Sequence, residues 1–296
     1  MVIWVSMSDH FPDPYGDLFI YYLEGCLKPG IPIVDEAFVG NWEEDGHSFL
    51  FFKRPALRRI ERLISRQPHL KLLDQFHMSY EEWHGQPVRP FCIGRLHISP
   101  PWTTASSGGD RHVETTTKAD SSDIEILLDP GVVFGTGSHP TTRHCIEALQ
   151  AILSQKTIHT VIDIGTGTGL LAISAVKLGC QQALAIDLNH LAARTAHRNI
   201  QLNGLEKQIL ALQGAAENFV DLPSDLVISN IHYDVMKRLL QGNRFLHTRF
   251  VILSGLLRSQ AMKVERLLSK ASIQILERWE AQGIWHSFLG RIPDHL

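Results

Sequence analysis

From residue 159 onward the chain alternates short apolar runs with amphipathic stretches. "HTVIDI", "ALAID", "ILALQG", "DLVISN" and "FVILSG" read as strands, and helices are expected to begin near Leu170, Leu191, Val235 and Arg258, with a weak helix or none near Ala215. A parallel strand can be reached only through a crossover connection, so this alternation calls for a parallel sheet with helices on both faces. The last two runs, "IQILERWE" and "GIWHSFLGR", are joined only by "AQG" and must form an antiparallel hairpin. The expected fold class is α/β, with a seven-stranded Rossmann-like sheet that ends in that hairpin.

The first eighty residues read differently. "IWVSM", "LFIYYLEGCL", "IPIVDEAFVG", "SFLFF", "ALRRIERLISR" and "LKLLDQFHM" give the order strand, helix, strand, strand, helix, strand. That order is a split βαβ, ferredoxin-like α+β module. "SYEEWHGQPVRPFCIGRLHISPPW" follows as a connector with some strand character. Residues 103–123 are polar, rich in small side chains and almost free of bulky apolar ones, so a mobile insertion is expected there. The expected divisions are a small domain over 1–80, a connector with its insertion over 81–123, and a large domain over 124–296.

With 296 residues, 44% of them hydrophobic, the chain can bury a core without covalent staples. A formal net charge of −3 provides no broad basic field, so direct nucleic-acid binding is not expected. Cys26, Cys92, Cys145 and Cys180 lie far apart, without the close pairs of a zinc or redox site. Sixteen histidines are scattered without a helical zinc spacing, so no metal is expected. No uncharged apolar stretch approaches the ~18 residues of a membrane span, and the start lacks a signal-peptide pattern. A cytoplasmic protein with no membrane partner is the expectation.

"TVIDIGTGTGLLAISAVKLG" runs from a buried strand through Gly165, Gly167 and Gly169 into a helix. Such a turn presents backbone amides and a helix N-terminus to a ligand. Asp187 ends the next strand, eighteen residues beyond Gly169, where a carboxylate can accept ribose hydroxyls. A dinucleotide fingerprint needs a sixth-position glycine, and counting from Gly165 that position is Leu170. Asp163, ahead of the glycines, would repel a pyrophosphate but could hold a cationic amino group, directly or through water. S-adenosylmethionine (AdoMet) has that amino group and no phosphate. A second glycine-rich stretch, "DPGVVFGTGSHPTT", occupies 129–142. Gly135 and Gly137 allow close backbone approach, Thr136 and Thr142 offer hydroxyls, and Pro140 suits the first turn of a helix. Capping of that helix by Ser138, Thr141 or Thr142 is compatible with the binding reading.

The chain resembles the bacterial PrmA family, AdoMet-dependent methyltransferases of ribosomal protein L-eleven. The resemblance is carried by "LLDPGVVFGTGSHPTTRHCIEAL", "VIDIGTGTGLLAISAVKLG", "AIDLNHLAARTAHRNIQLNG", "LVISNI", "ILSGLL" and "IWHSFLGR", which with "FCIGRLHISPPW" cover nearly all of 91–291. It implies a class I methyltransferase sheet and a small substrate-recognition domain before it. It also implies that the "FGTGSHPTT" segment folds over the methionine end of AdoMet with Thr142 in contact. Asn230, closing "LVISN", would stand beside the sulfonium, where resembling amino methyltransferases place Asn or Asp to accept from the attacking amine. The Pro-Pro-Tyr that often follows is absent, which speaks against a nucleic-acid substrate. His232 and Tyr233 replace the small or aliphatic residues usual in the family and are assigned surface roles.

The implied cofactor-binding set is Thr136, Thr142, Asp163, Gly165, Gly167, Gly169, Asp187 and Asn230, with Asn230 also the catalytic candidate and the ribosomal protein the implied substrate. Two other readings stay open at this stage: methylation of another protein or a small amine, and an AdoMet-binding scaffold without turnover.

Overall fold

The computed structural model describes residues 13–28, 33–104, 123–242, 245 and 247–293. Within these, the chain divides into two units, residues 13–89 with 100–104, and residues 90–99 with 123–293. Each has its own sheet and core.

The smaller unit contains β1 (Asp17–Glu24), β2 (Phe38–Glu44), β3 (His47–Phe52), α1 (Leu57–Arg66), β4 (Lys71–Ser79) and the single-turn α2 (Tyr80–His84). The sheet order is β2-β3-β1-β4, and every neighbouring pair is antiparallel. Tyr21, Leu23, Leu50 and Phe52 pack beneath Ile60 and Leu63 of α1. The Tyr21 hydroxyl accepts the Ala56 N–H at 2.7 Å and so ties the start of α1 to the sheet. Ser79 and Glu82 form a reciprocal capping box on α2.

One expected element is overturned. "LFIYYLEGCL" was expected to be a helix and is strand β1. Both faces of β1 are packed: Tyr21 and Leu23 point to α1, while Leu18 and Ile20 are buried on the other side. A strand buried on both faces loses the apolar–polar alternation that would distinguish it, and its aromatic and β-branched residues then carry the preference. The expected strand "IWVSM" lies outside the described residues, as do the first two residues of "IPIVDEAFVG" and most of the polar insertion.

In the larger unit β5 (Phe91–Ile93) and β6 (Leu96–Ser99) form a hairpin, and the short α3 (Pro101–Thr104), which follows, belongs to the smaller unit. β7 (Ile124–Leu127) pairs parallel to β6. There follow α4 (Pro140–Gln155), β8 (Thr160–Ile164), α5 (Leu170–Lys177), β9 (Gln182–Asp187), α6 (His190–Leu202), β10 (Ile209–Gln213), β11 (Ser224–Asn230), α7 (Tyr233–Gln241), β12 (Thr248–Leu257), α8 (Arg258–Lys270), β13 (Gln274–Ala281) and β14 (Trp285–Arg291). Between β10 and β11 there is only a 3-10 turn at Ala216–Asn218.

Their sheet runs β10-β9-β8-β11-β12-β14-β13. The first five strands are parallel, and β14 lies antiparallel between β12 and β13. One core lies against α4 and α5, with Leu149, Ile173 and Ile228 at its centre, and a second lies against α7 and α8, with Leu239, Val264 and Leu253. The strand order reverses between β8 and β11, which opens a crevice at their carboxyl ends, the place where open α/β sheets bind ligands. Among the described residues no helix is long and apolar enough to cross a membrane.

Candidate functional site

Asp163 is the fourth residue of β8 and is fully buried. Its Oδ2 accepts the Thr166 hydroxyl at 2.6 Å and the Ala172 N–H at 3.2 Å. Its Oδ1 is buried without a hydrogen-bond partner among the described residues. Burial pushes the carboxyl up to about 7; the two hydrogen bonds offset part of that shift, and nearby Asp187 adds to it. A carboxylate oxygen enclosed and unpaired in this way fits a cationic or hydrogen-bonding ligand group.

Gly165, Gly167 and Gly169 make the turn from β8 into α5, with the Gly165 and Thr166 N–H groups donating to the Ile186 carbonyl at 2.8 and 3.0 Å. Asp187, at the end of β9, accepts the Gly167 N–H on Oδ2 at 3.0 Å and the Asn189 N–H on Oδ1 at 2.9 Å. Its carboxyl is raised by burial, against the lowering effect of these amides. Each oxygen keeps a further lone pair, so the carboxylate is oriented by the turn and still able to accept.

The two glycine-rich stretches meet. Thr168 donates its hydroxyl to the Gly135 carbonyl at 2.7 Å. At Gly167, with φ of +56°, an added Cβ would lie 2.4 Å from the Phe134 carbonyl oxygen, so this glycine is required both by its left-handed backbone and by the approach of the other segment. Behind the junction stands Asn199 of α6, fully buried. Its Oδ1 accepts the Asp129 N–H at 2.9 Å, and its Nδ2 donates to the carbonyls of Asp129 and Thr168 at 2.9 and 2.8 Å. One turn further on, Asn203 grips Leu127 in the same way, accepting its N–H at 3.1 Å and donating to its carbonyl at 2.7 Å.

Pro140 opens α4 as expected, but the cap is His139 rather than a hydroxyl residue. Its Nδ1 accepts the Thr141 N–H at 3.3 Å. The same Nδ1 lies 2.7 Å from the Thr141 hydroxyl, so this nitrogen is occupied by the first turn of α4 and is not placed as a general base. Thr142 is buried, and Asn230 at the end of β11 donates its Nδ2 to the Thr142 hydroxyl at 3.5 Å. The Asn230 Oδ1 faces Gly255: a Cβ there, at φ of +84°, would come within 3.1 Å of it and 2.9 Å of the Ile231 carbonyl.

The first turn of α4 is fixed from below. Ser254 donates its hydroxyl to the Thr141 carbonyl at 3.1 Å and lies 2.6 Å from the Ser287 hydroxyl, which lies 3.0 Å from His144 Nδ1. Because Ser254 has one proton to give, donation runs from His144 to Ser287 to Ser254. Burial, then the charges of His286, Arg143 and His139, push the His144 imidazole down to about 4 and keep it neutral.

The profile of a family described as "Ribosomal protein L11 methyltransferase (PrmA)" matches residues 69–292. The chain belongs to this family. A ribosomal protein L11 methyltransferase of Listeria monocytogenes serotype 4b is 38% identical across 71% of this chain and 65% of its own length. One from Desulforamulus reducens is 37% identical across 68% of this chain and 61% of its own. The chain thus spans just under two thirds of the length of these curated relatives. A crystal structure of ribosomal protein L11 methylase from Lactobacillus delbrueckii subsp. bulgaricus superposes with a TM-score of 0.58 at 30% identity, covering 69% of this chain and all of that one.

Against the PrmA expectations, Thr142 and Asn230 are brought together, and Gly165, Gly167 and Gly169 lie in one turn with Asp163 at its base and Asp187 bonded to it. Thr136 is not tied to them: its hydroxyl pairs with that of Ser138 at 2.7 Å. His232 is exposed at the start of α7, and Tyr233 packs partly against the neighbouring core. Asn199, Thr168 and Gly255 were not singled out from sequence. A signal for Asn199 was present, because it falls on the apolar stripe of α6 with Leu191, Ala192, Ala196 and Ile200, where a polar side chain must find partners.

Proposed function

We propose that this protein is an AdoMet-dependent N-methyltransferase whose acceptor is ribosomal protein L11, modified on lysine or α-amino groups. The observation that carries the reading is the joined pair of glycine segments, with a buried carboxylate oxygen left unpaired at the base of one and the Asn230–Thr142 contact at the edge of the other. Membership in the PrmA family supports it, as does the crevice at the reversal of strand order. The finer fold reading is a class I methyltransferase unit preceded by a ferredoxin-like recognition unit over roughly 1–80. The strand order of the small sheet supports that description, whereas strand β1 in place of the first expected helix departs from it. A cytoplasmic location follows from the proposed substrate.

The residues present fit AdoMet. Asp163 would take its amino group, Asp187 its ribose hydroxyls, the backbone of Gly165, Gly167 and Gly169 its nucleoside edge, and Thr142 its methionine end; Thr136 would line the same segment. When bound, AdoMet supplies a methyl group already activated by its sulfonium. The chain's own task is then to bring a neutral amine into line and keep water out. Asn230 engages Thr142 through its nitrogen, so its Oδ1 remains to accept an N–H of the amine and orient the lone pair. No side chain of the site is placed to remove the proton, so an α-amine near ~8 enters more readily than a lysine near ~10.4.

The test is transfer of labelled methyl groups from AdoMet to purified L11, read by intact mass. Mass increments in multiples of one methyl are expected. An enzyme that binds AdoMet but leaves L11 unlabelled while labelling another protein in a lysate would overturn the substrate assignment. No transfer to any acceptor would overturn the enzymatic reading.

A further inference from the structure

Strand β12 pairs with β14 in two registers, Leu253 opposite Phe288 and then Leu256 opposite His286. Ser254 and Gly255 therefore face a single residue, Ser287, and form a bulge, a feature that re-aims a side chain out of the ladder. On its other edge Ser254 is the Cα partner of Asn230 in β11, so the bulge lies against the strand end that carries this amide. The re-aimed Ser254 hydroxyl reaches the Thr141 carbonyl at 3.1 Å and Ser287 at 2.6 Å, and Ser287 meets His144 Nδ1 at 3.0 Å. All three side chains are buried. The chain of bonds starts in the second turn of α4, crosses β14 and β12, and returns to the first turn of α4. Thr141 is also held at its hydroxyl, 2.7 Å from His139 Nδ1. The next residue, Thr142, takes the Asn230 Nδ2–H at 3.5 Å, the limit of a hydrogen bond, so a small displacement of the turn would break it.

We infer that His144, Ser287 and Ser254 are positioning residues for methyl transfer: they set the first turn of α4 so that Thr142 holds the Asn230 amide nitrogen and leaves Oδ1 to the incoming amine. The inference rests on the methyltransferase reading of the site and adds what orients its amide. An asparagine amide can turn over with little change of shape, exchanging an acceptor for a donor. A donor in that place would compete for the lone pair that must attack the methyl group. Gly255 serves the same end, because a Cβ there would crowd Oδ1 at 3.1 Å. Packing alone does not require polar groups here, since apolar side chains of the same shape can replace a buried hydrogen-bonded pair at little cost or with a gain. What they cannot supply is direction: each bond in the chain has one donor and one acceptor, and fixes the rotation of the next hydroxyl. The AdoMet contacts assigned to Asp163, the glycine turn and Asp187 lie on β8 and β9, outside this chain, so grip and alignment are separable.

The test uses Ser254→Ala, Ser287→Ala, His144→Leu and the conservative His144→Asn, whose side-chain nitrogen can donate from near the position of Nδ1. With L11 as acceptor, kcat should fall by about tenfold or more in Ser254→Ala and by about threefold or more in Ser287→Ala and His144→Leu, since small misplacements cost rate steeply. The Kd for AdoMet and the KM for L11 should change by less than about threefold, and His144→Asn should restore most of kcat. His144→Leu should melt at or above the wild-type temperature, which separates alignment from support of the fold. Unchanged kcat in the folded variants, or a loss that tracks the melting temperature and that His144→Asn does not restore, would overturn the proposal and leave the methyltransferase reading intact. If the wild-type protein methylates no acceptor, nuclear magnetic resonance of isotope-labelled asparagine decides the matter separately, with the Asn230 side-chain amide assigned through Asn230→Asp. A displacement of that signal in Ser287→Ala and His144→Leu, reversed in His144→Asn, supports the positioning role. A signal indifferent to both substitutions overturns it.

Discussion

Asp163 holds its proton in the folded chain up to about 7, whereas the unfolded chain releases it near ~3.9. Within that window the folded state binds more protons, so the stability of the ligand-free protein falls as pH rises through it. A cationic ligand group reverses the preference by favouring the carboxylate. AdoMet affinity is therefore expected to weaken below about pH 7 by up to ~10-fold per unit, as binding must expel a proton. Calorimetry in buffers of different ionisation enthalpy reads both the slope and the released proton. Asp163→Asn should flatten the slope, and at about pH 8 it should raise the melting temperature of the free protein. A slope unchanged by the substitution would remove Asp163 from the ligand site. Gly167 makes a second prediction at this scale. Gly167→Ala places a Cβ 2.4 Å from the Phe134 carbonyl at a positive φ, so a loss of about 1–3 kcal/mol is expected in urea unfolding, with weaker AdoMet binding. Asn230→Ala should instead leave affinity nearly intact and lower kcat on the order of 100-fold, since its Oδ1 is assigned to the amine rather than to the cofactor.

Helix α6 acts as a clasp: through Asn199 and Asn203 it holds the backbone from Leu127 to Asp129 and, at Thr168, the edge of the glycine turn. Asn199→Ala leaves one N–H and two carbonyls buried without that partner, each costing about 1–3 kcal/mol, so a total on the order of 3 kcal/mol is expected after relaxation. The urea midpoint should fall by roughly 1 M for an m-value near ~3 kcal/mol/M. Asn203→Ala should cost less, because Asn203 is only partly buried. A shift of the midpoint without loss of AdoMet affinity would show that the clasp stabilises the fold but does not shape the turn. What was legible in the sequence follows the same division. The strand, glycine turn and α5, the acidic end of β9 and the terminal hairpin are signalled by residues close in sequence, and the structure places them as expected. Strand β1 was misread because burial on two faces erases alternation. The Asn199 contacts reach 70 positions to Asp129 and 31 to Thr168, and the His144–Ser287 pair spans 143, so no local pattern announces either.

At the scale of the whole chain, sheet order explains why distant stretches form one site. Reversal between β8 and β11 puts Asp163 and Asn230 on adjacent strands, and α4 returns over β12 so that Thr142 reaches Asn230 and Ser254 holds the Thr141 carbonyl. The glycine stretch ahead of α4 is thereby carried onto the turn ahead of α5. A ligand seated there orders both stretches at once, and hydrogen exchange can separate that arrangement from a ligand gripped by the turn alone. With saturating AdoMet, amides in 131–142 and in 165–170 should slow together, by amounts that grow with ligand concentration as binding lowers the population of open states. Amides of β2 and β3 in the small unit should not respond, because their hydrogen bonds belong to a separate sheet. Protection of 165–170 without 131–142 would mean that the two glycine segments touch in the fold but serve different ligands.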